Sequence, residues 1–260
     1  MSKLVPSRFL DNKTLNAKIG IIAALEREVQ PLVKGWFSSC VQHEGRDFAF
    51  YERGYAVVVC GGIGPERARR AAEAVIAKYS PELIISAGVA GALVPDLHVG
   101  DTIFPAVVID TQDGSRRESA IQNAPIGNSP LARTVLATYP EIASIAQKQQ
   151  LAKSYGAHVV DMEAVAVARA AEKHGLPFIA IKAISDELNF ELPEINRFTR
   201  NGQFQTGKFV VYIALRPSLW LRVFRLARNT RLASENLCAW LRESVLTNTI
   251  VPRTISDQKS

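Results

Sequence analysis

Cysteine is scarce in this chain: three in 260 residues, Cys40, Cys60 and Cys238, widely spaced and set among apolar neighbours. That excludes a disulfide framework or a zinc knuckle and fits core or subsurface residues in a reducing, cytoplasmic compartment. Histidine is nearly as sparse, at positions 43, 98, 158 and 174, and no two have metal-ligand spacing, so a metal site is not expected. No apolar run approaches the roughly 20 residues of a membrane span. The first eighteen residues interleave Lys3, Arg8, Asp11, Asn12 and Lys13 with single apolar residues, which argues against a signal peptide. Also missing are a Gly-x-Ser-x-Gly elbow, a dinucleotide fingerprint and a Walker loop. Acidic side chains vanish between residues 195 and 234, where eight Lys or Arg stand, so the formal charge of +6 is concentrated there.

What is present reads as one generous α/β domain, with 47% apolar residues. Buried strands are expected at 19–25, 55–60, 83–86, 102–109, 158–160 and 178–184. Helices are expected from 26 to 33, after Pro65, and at 147–155, 163–174, 208–215 and 219–241. Small residues at 61–65 and 87–91 read as two tight turns, and 111–128 as a long loop or hairpin tip. This alternation predicts a three-layer sandwich, a central, largely parallel mixed sheet flanked by helices. The expected catalytic domain spans 18–246, with 190–246 a basic helical extension and 1–17 and 247–260 flexible tails.

Charged residues bracket one αβ unit near the end of this pattern. Open α/β sheets bind ligands at the carboxyl ends of their strands, which places Ser185-Asp186-Glu187 at a site. A free Asp has a pKa of roughly 3.9, so acid catalysis by Asp186 requires burial or a proton-sharing base; the competing role is a helix cap. Asp161-Met162-Glu163 could offer a ribose a carboxylate for its vicinal hydroxyls and an apolar wall. Asp161 fits an N-cap better, while Met162 and Glu163 are the ligand candidates. Glu26 and Glu28 open the first helix at the same edge, where either could orient a water or simply be solvated. The glycine turns could cradle phosphate through backbone amides, with Arg67, Arg69 and Arg70 close by, or be plain strand exits.

Taken together, these segments resemble the purine nucleoside phosphorylase and methylthioadenosine nucleosidase superfamily over most of 18–187. The carriers are Ile19-Gly20-Ile21-Ile22-Ala23-Ala24-Leu25-Glu26-Arg27-Glu28-Val29, Gly62-Ile63-Gly64, Ala87-Gly88-Val89-Ala90-Gly91, Val99-Gly100-Asp101, Asp161-Met162-Glu163-Ala164 and Ala183-Ile184-Ser185-Asp186, in the family's order. The resemblance implies that Asp186 protonates a departing purine, that Glu28 orients water, and that Met162 and Glu163 hold the ribose. Gly88, Val89 and Ser185 are then further substrate contacts. No organic or metal cofactor is implied, and the nucleophile stays open between water and inorganic phosphate as co-substrate. The family's phosphate-binding arginine and hydroxyl would fall near Ser86 and Val89, so the arginine is missing and an apolar residue fills the hydroxyl's place; Gly62 and Arg67 are the remaining phosphate candidates.

Beyond Glu191, Asn201-Gly202-Gln203-Phe204, Ala214-Leu215-Arg216-Pro217 and the helix with Arg228-Asn229 resemble the hopanoid-associated phosphorylase group. That resemblance implies an adenosylhopane substrate and homo-oligomers. Arg222, Arg225, Arg228 and Arg231 recur beside Trp220 and Phe224, which suits peripheral contact of 216–241 with an anionic inner-membrane surface, or solvated arginines on a packed helix. A soluble methylthioadenosine or adenosylhomocysteine nucleosidase is the rival reading, and a binding protein without catalysis a third. No nucleic-acid motif accompanies the charge.

Overall fold

The computed structural model of the chain describes residues 18–120, 133–191, 199–200, 203–204 and 217–244. β1 (Ile19–Ala23) is buried throughout and pairs in parallel with β4 (Ala56–Cys60) on one side and β5 (Leu83–Ala92) on the other. β11 (Phe178–Asp186) also runs parallel to β5, along most of its length. β10 (Val159–Asp161), β9 (Val135–Thr138) and β7 (Val107–Asp110) form a second parallel group, joined to β5 by an antiparallel contact. Antiparallel strands close the margins: β2 (Phe37–His43) and β3 (Arg46–Arg53) beside β4, and β8 (Arg116–Glu118) beside β7. The central strands read as continuous apolar runs because helices cover both faces.

Two apolar clusters show the three layers. α2 (Pro65–Tyr79) and α4 (Ala164–Lys173) lay alanine-rich stripes, including Ala68, Ala71, Ala164 and Ala168, on one face with Ile22, Val57, Ile84 and Ala180. On the other face α1 (Glu26–Val33) and α5 (Pro217–Ser244) bury Val29, Leu32, Ala233, Leu237, Cys238 and Leu241 against Ile21, Ile85 and Ile181. α3 (Ile145–Tyr155) packs through Leu151 beside Ala137 and Val160. The three-layer mixed sheet predicted from the pattern is the fold observed.

Several local expectations are corrected. Residues 87–91 are not a turn but the second half of the ten-residue β5, buried apart from the half-buried Val89. Small residues stand there because neighbouring side chains approach the backbone closely, not because the chain bends. The strand expected at 102–109 breaks at Phe104-Pro105-Ala106 into β6 (Thr102–Ile103), which pairs with β11, and β7, which pairs with β8 and β9. The β2–β3 hairpin was absent from the expectation, although Glu44 and Gly45 at its tip, with φ of 47° and 73°, make the two-residue turn such hairpins favour. Cys40 is exposed on β2 rather than subsurface, while Cys238 is buried. The helix expected at 208–215 and the tails at 1–17 and 247–260 lie outside the described residues.

α5 is not an appendage. Its second half reaches α1 through Cys238, whose Sγ–H donates to Glu28 O at 3.3 Å, and Arg242, which donates to Pro31 O at 2.7 Å. Trp240 meets Phe104 with ring centroids 4.4 Å apart, and Asn236 donates to Gly100 O at 2.8 Å. Its first half differs: Trp220, Leu221 and Phe224 are exposed, the last two by 80% and 71%. Among the described residues no helix is long and apolar enough to cross a membrane.

Candidate functional site

Two elements deliver carboxylates to one pocket at the sheet. Glu28, in the first turn of α1, turns inward and is buried, while Glu26, two residues earlier, is exposed and outside the pocket lining. Glu163 ends the β10–α4 connection and reaches across to accept a 2.8 Å hydrogen bond from the Gly64 amide at the start of α2. The pocket is lined by Glu28, Glu163, Ser86, Gly88, Val89 and Lys182, among others. Gly88 is the close approach that opens it. A methyl group there would stand 3.2 Å from Glu28 Oε2 and 3.7 Å from Lys182 Nζ, so both groups look onto the bare backbone of β5.

Lys182 is the cation of this site. It interrupts the apolar run 178–184 of β11, is 2% exposed, and binds Asp161 Oδ2 at 2.9 Å and Ser86 Oγ at 3.1 Å. Asp161 is not the N-cap expected of it, since it ends β10 and Glu163 takes the cap position, but its carboxylate accepts from the Ala164 amide at 2.9 Å and from the Thr138 hydroxyl at 2.7 Å. The Asp161–Lys182 pair is thus fully enclosed and multiply hydrogen-bonded, the condition under which buried ions are tolerated.

The other two carboxyls are less well compensated. Burial drives the Glu28 carboxyl above its ordinary range, against the pull of Lys182 and the Leu25 amide. Glu163 is pushed up to about 7, first by desolvation and then by the nearby Asp161 charge, with Lys182 and the Gly64 amide opposing. The unfolded value is 4.5, so Glu163 favours folding most below that pH, and this contribution fades as pH rises through about 7. Melting temperature is therefore expected to fall between pH 5 and pH 8, with a smaller fall in Glu163→Gln. Equal slopes in the two proteins would contradict the burial of this acid.

Asp186 lies outside that lining, at the tip of β11. The register between β5 and β11 slips there: Ile184 faces Ala90 and Asp186 faces Gly91, so Ser185 is an extra residue. A bulge of this kind re-aims the side chain that follows it. Asp186 is 5% exposed, its Oδ1 accepts from Ser185 Oγ at 2.8 Å, and its Oδ2 from Lys148 Nζ on α3. The proposed sites thus fall into a nest of Glu28, Glu163, Gly88 and Val89, and a neighbouring Ser185–Asp186 station. The half-buried Met162 stands beside Glu163 in the chain but outside the nest's lining.

The phosphate candidates form a third group. A methyl at Gly62, whose φ is +98°, would lie 3.1 Å from Arg67 Nη1 and 3.5 Å from Arg46 Nη2. Burial and the Arg67 and Arg70 charges hold the Arg46 guanidinium below its ordinary value. Arg69 and Arg70 are engaged with Glu66 at 2.8 Å. Among the described residues no group of three His, Cys, Asp or Glu is placed to hold a metal ion.

Sequence reasoning missed Lys182 as a site residue and Lys148 altogether. A single charge inside a strand buried on both faces was a usable signal for Lys182, because a fully buried Lys requires a partner. Lys148 sits in Gln147-Lys148-Gln149-Gln150, which looks like an ordinary solvated helix.

Comparison with known proteins shows the family. The family model described as Phosphorylase superfamily matches residues 18–140 and 126–211. The 5′-methylthioadenosine/S-adenosylhomocysteine nucleosidase of Shewanella halifaxensis is 28% identical over 204 residues, 68% of this chain and 89% of that protein. The Staphylococcus aureus nucleosidase of the same name is also 28% identical, over 201 residues, 66% of this chain and 88% of its own. Among solved structures, Helicobacter pylori futalosine hydrolase superposes with a TM-score of 0.66 at 18% identity, covering 90% of this chain and 99% of that one. The Neisseria meningitidis nucleosidase in complex with methylthio-immucillin-A gives 0.67 at 18% identity, covering 89% and 99%. With the family match spanning well over half of its length, the chain belongs to the Phosphorylase superfamily, as an enzyme of the nucleoside phosphorylase and nucleosidase kind.

Proposed function

We propose that the chain is a nucleosidase that cleaves the N-glycosidic bond of a 5′-substituted adenine nucleoside, such as methylthioadenosine, with water as nucleophile. The observation that carries this is the meeting of Glu28 and Lys182 at Gly88, opposite Glu163. Glu163 receives hydrogen bonds from the ribose hydroxyls, with Met162 as an apolar wall, and Gly88, Val89 and Ser185 shape the surrounding surface. Asp186 passes a proton to the imidazole nitrogen of the purine as the C1′–N9 bond breaks and its electrons move into the base. Water held by Glu28 adds to the oxocarbenium-like carbon, and Glu28 takes its proton. General acid and general base help of this kind contributes about 10²–10⁴-fold each.

Charge favours water over phosphate. Within the nest Glu28, Glu163 and Asp161 face one cation, Lys182, which is already paired with Asp161. A phosphate dianion would add charge of the wrong sign in a poorly solvated space. Phosphorolysis would instead draw on Arg46 and Arg67 beyond the Gly62 turn, with Gly64 already engaged by Glu163.

A second reading, adenosylhopane as substrate, has its own support. A cavity of about 500 Å³ opens immediately past Asp186, lined by Glu187, Phe190, Phe224, Arg225 and Arg228, among others. Beside it α5 presents exposed Trp220, Leu221 and Phe224, a surface suited to an apolar 5′ group arriving from an anionic membrane. Adenine release from methylthioadenosine and from adenosylhopane in anionic vesicles, each with and without inorganic phosphate, separates these readings. Turnover of methylthioadenosine independent of phosphate is expected. Turnover of adenosylhopane alone would move the assignment to the lipid nucleoside, and an absolute phosphate requirement would overturn water.

A further inference from the structure

Lys148 combines two local costs. It is the fourth residue of α3, in the first turn, where the helix dipole disfavours a cation. It is also only 1% exposed, although Lys is almost never fully buried without a partner. The helix start is otherwise well made: Ser144 Oγ accepts from the Gln147 amide, and Gln147 Oε1 accepts from the Ser144 amide at 2.8 Å. What the misplaced cation gains is Asp186. Its ammonium donates to Asp186 Oδ2 and, at 2.9 Å, to Glu187 O. The pair occupies a slot left by Gly91, where a methyl group would lie 2.9 Å from Asp186 Oδ2 and 3.3 Å from Lys148 Cε.

We propose that Lys148 is the positioning residue of the general acid: it anchors the Asp186 carboxyl against Gly91 and stabilises the carboxylate left when the proton moves to the leaving base. This rests on Asp186 being the acid. In that step the Asp186 O–H bond breaks and a purine N–H bond forms, so negative charge grows on Asp186 while the C1′–N9 bond opens. An ammonium on the second carboxyl oxygen interacts more strongly with that charge than with the neutral acid, and the difference lowers the barrier. The other charged groups nearby are Glu187, whose carboxylate lies 3.5 Å from His98, and the Asp161–Lys182 pair on β10 and β11. Arg225 and Arg228, on α5, line the same cavity as Glu187.

The test is kcat and KM for adenine release from methylthioadenosine by the full-length wild type, Lys148→Met, Lys148→Arg and Asp186→Asn. Lys148→Met should lower kcat by about 10-fold or more with KM within a few-fold of wild type. Lys148→Arg, which keeps the charge, should recover most of that loss. An undiminished kcat in Lys148→Met, or no recovery in Lys148→Arg, while Asp186→Asn is slow overturns the role of Lys148 alone. Undiminished release by Asp186→Asn overturns the acid itself. If Lys148→Met is too unstable to assay, Lys148→Met/Asp186→Asn should melt higher than it does, because the unpaired buried carboxylate is gone. A double variant melting no higher would contradict the pairing.

Discussion

Asp186→Asn is expected to slow adenine release by about 10²–10⁴-fold while leaving KM within a few-fold of wild type. The amide is nearly isosteric and keeps one carbonyl oxygen for Lys148, so the β11 bulge and the packing against Gly91 should survive. What disappears, in the proposed mechanism, is the proton passed to the departing base. Steady-state adenine release together with nucleoside affinity separates these effects. A loss seen only in KM would make Asp186 a binding group, and no loss would remove it from the reaction.

Lys182→Met should be the most damaging single change to stability. It leaves Asp161, with a side chain 0% exposed, as an uncompensated buried charge, and breaking such pairs costs about 3–5 kcal/mol. The Thr138 and Ala164 bonds that Asp161 keeps argue for the lower end. Against a typical total of about 5–15 kcal/mol this is a large fraction, visible as a lower urea midpoint. Lys182 also opposes the upward drift of Glu28 and Glu163, so its removal pushes both carboxyls higher. Residual activity should then lose its base at a higher pH than in wild type. Lys182→Met/Asp161→Asn should recover part of the stability; recovery of none would mean that the pair is not the dominant contact.

The layers were legible in the sequence because their signals are repeated along each element. Alanine stripes on α2 and α4, unbroken apolar strands and the Pro65 helix start all point to helices over a buried sheet. Glu28, Glu163 and Asp186 stood out as candidates for a related reason: acidic residues at strand ends stand where such sheets bind ligands. The small residues of β5 were misread, since in sequence a glycine that admits a neighbouring carboxylate looks the same as one that bends the chain. Gly88 admits Glu28 and Gly91 admits Asp186, and neither has a positive φ. Lys148 was invisible because its partner is 38 residues away, and a local pattern carries no trace of that pairing. The arginines of α5 do not share one face of the helix. A step of three residues turns a helix by about 300°, so Arg222 and Arg231 point to opposite sides, and Arg222 in fact pairs with Glu191 at 2.6 Å.

The most direct measurement is adenine release from methylthioadenosine in phosphate-free, ¹⁸O-enriched water, with mass analysis of the sugar. Hydrolysis through Asp186 and a Glu28-held water predicts free adenine and a sugar carrying one ¹⁸O at C1′. No adenine release, or a sugar formed only as its 1-phosphate once phosphate is added, would contradict it.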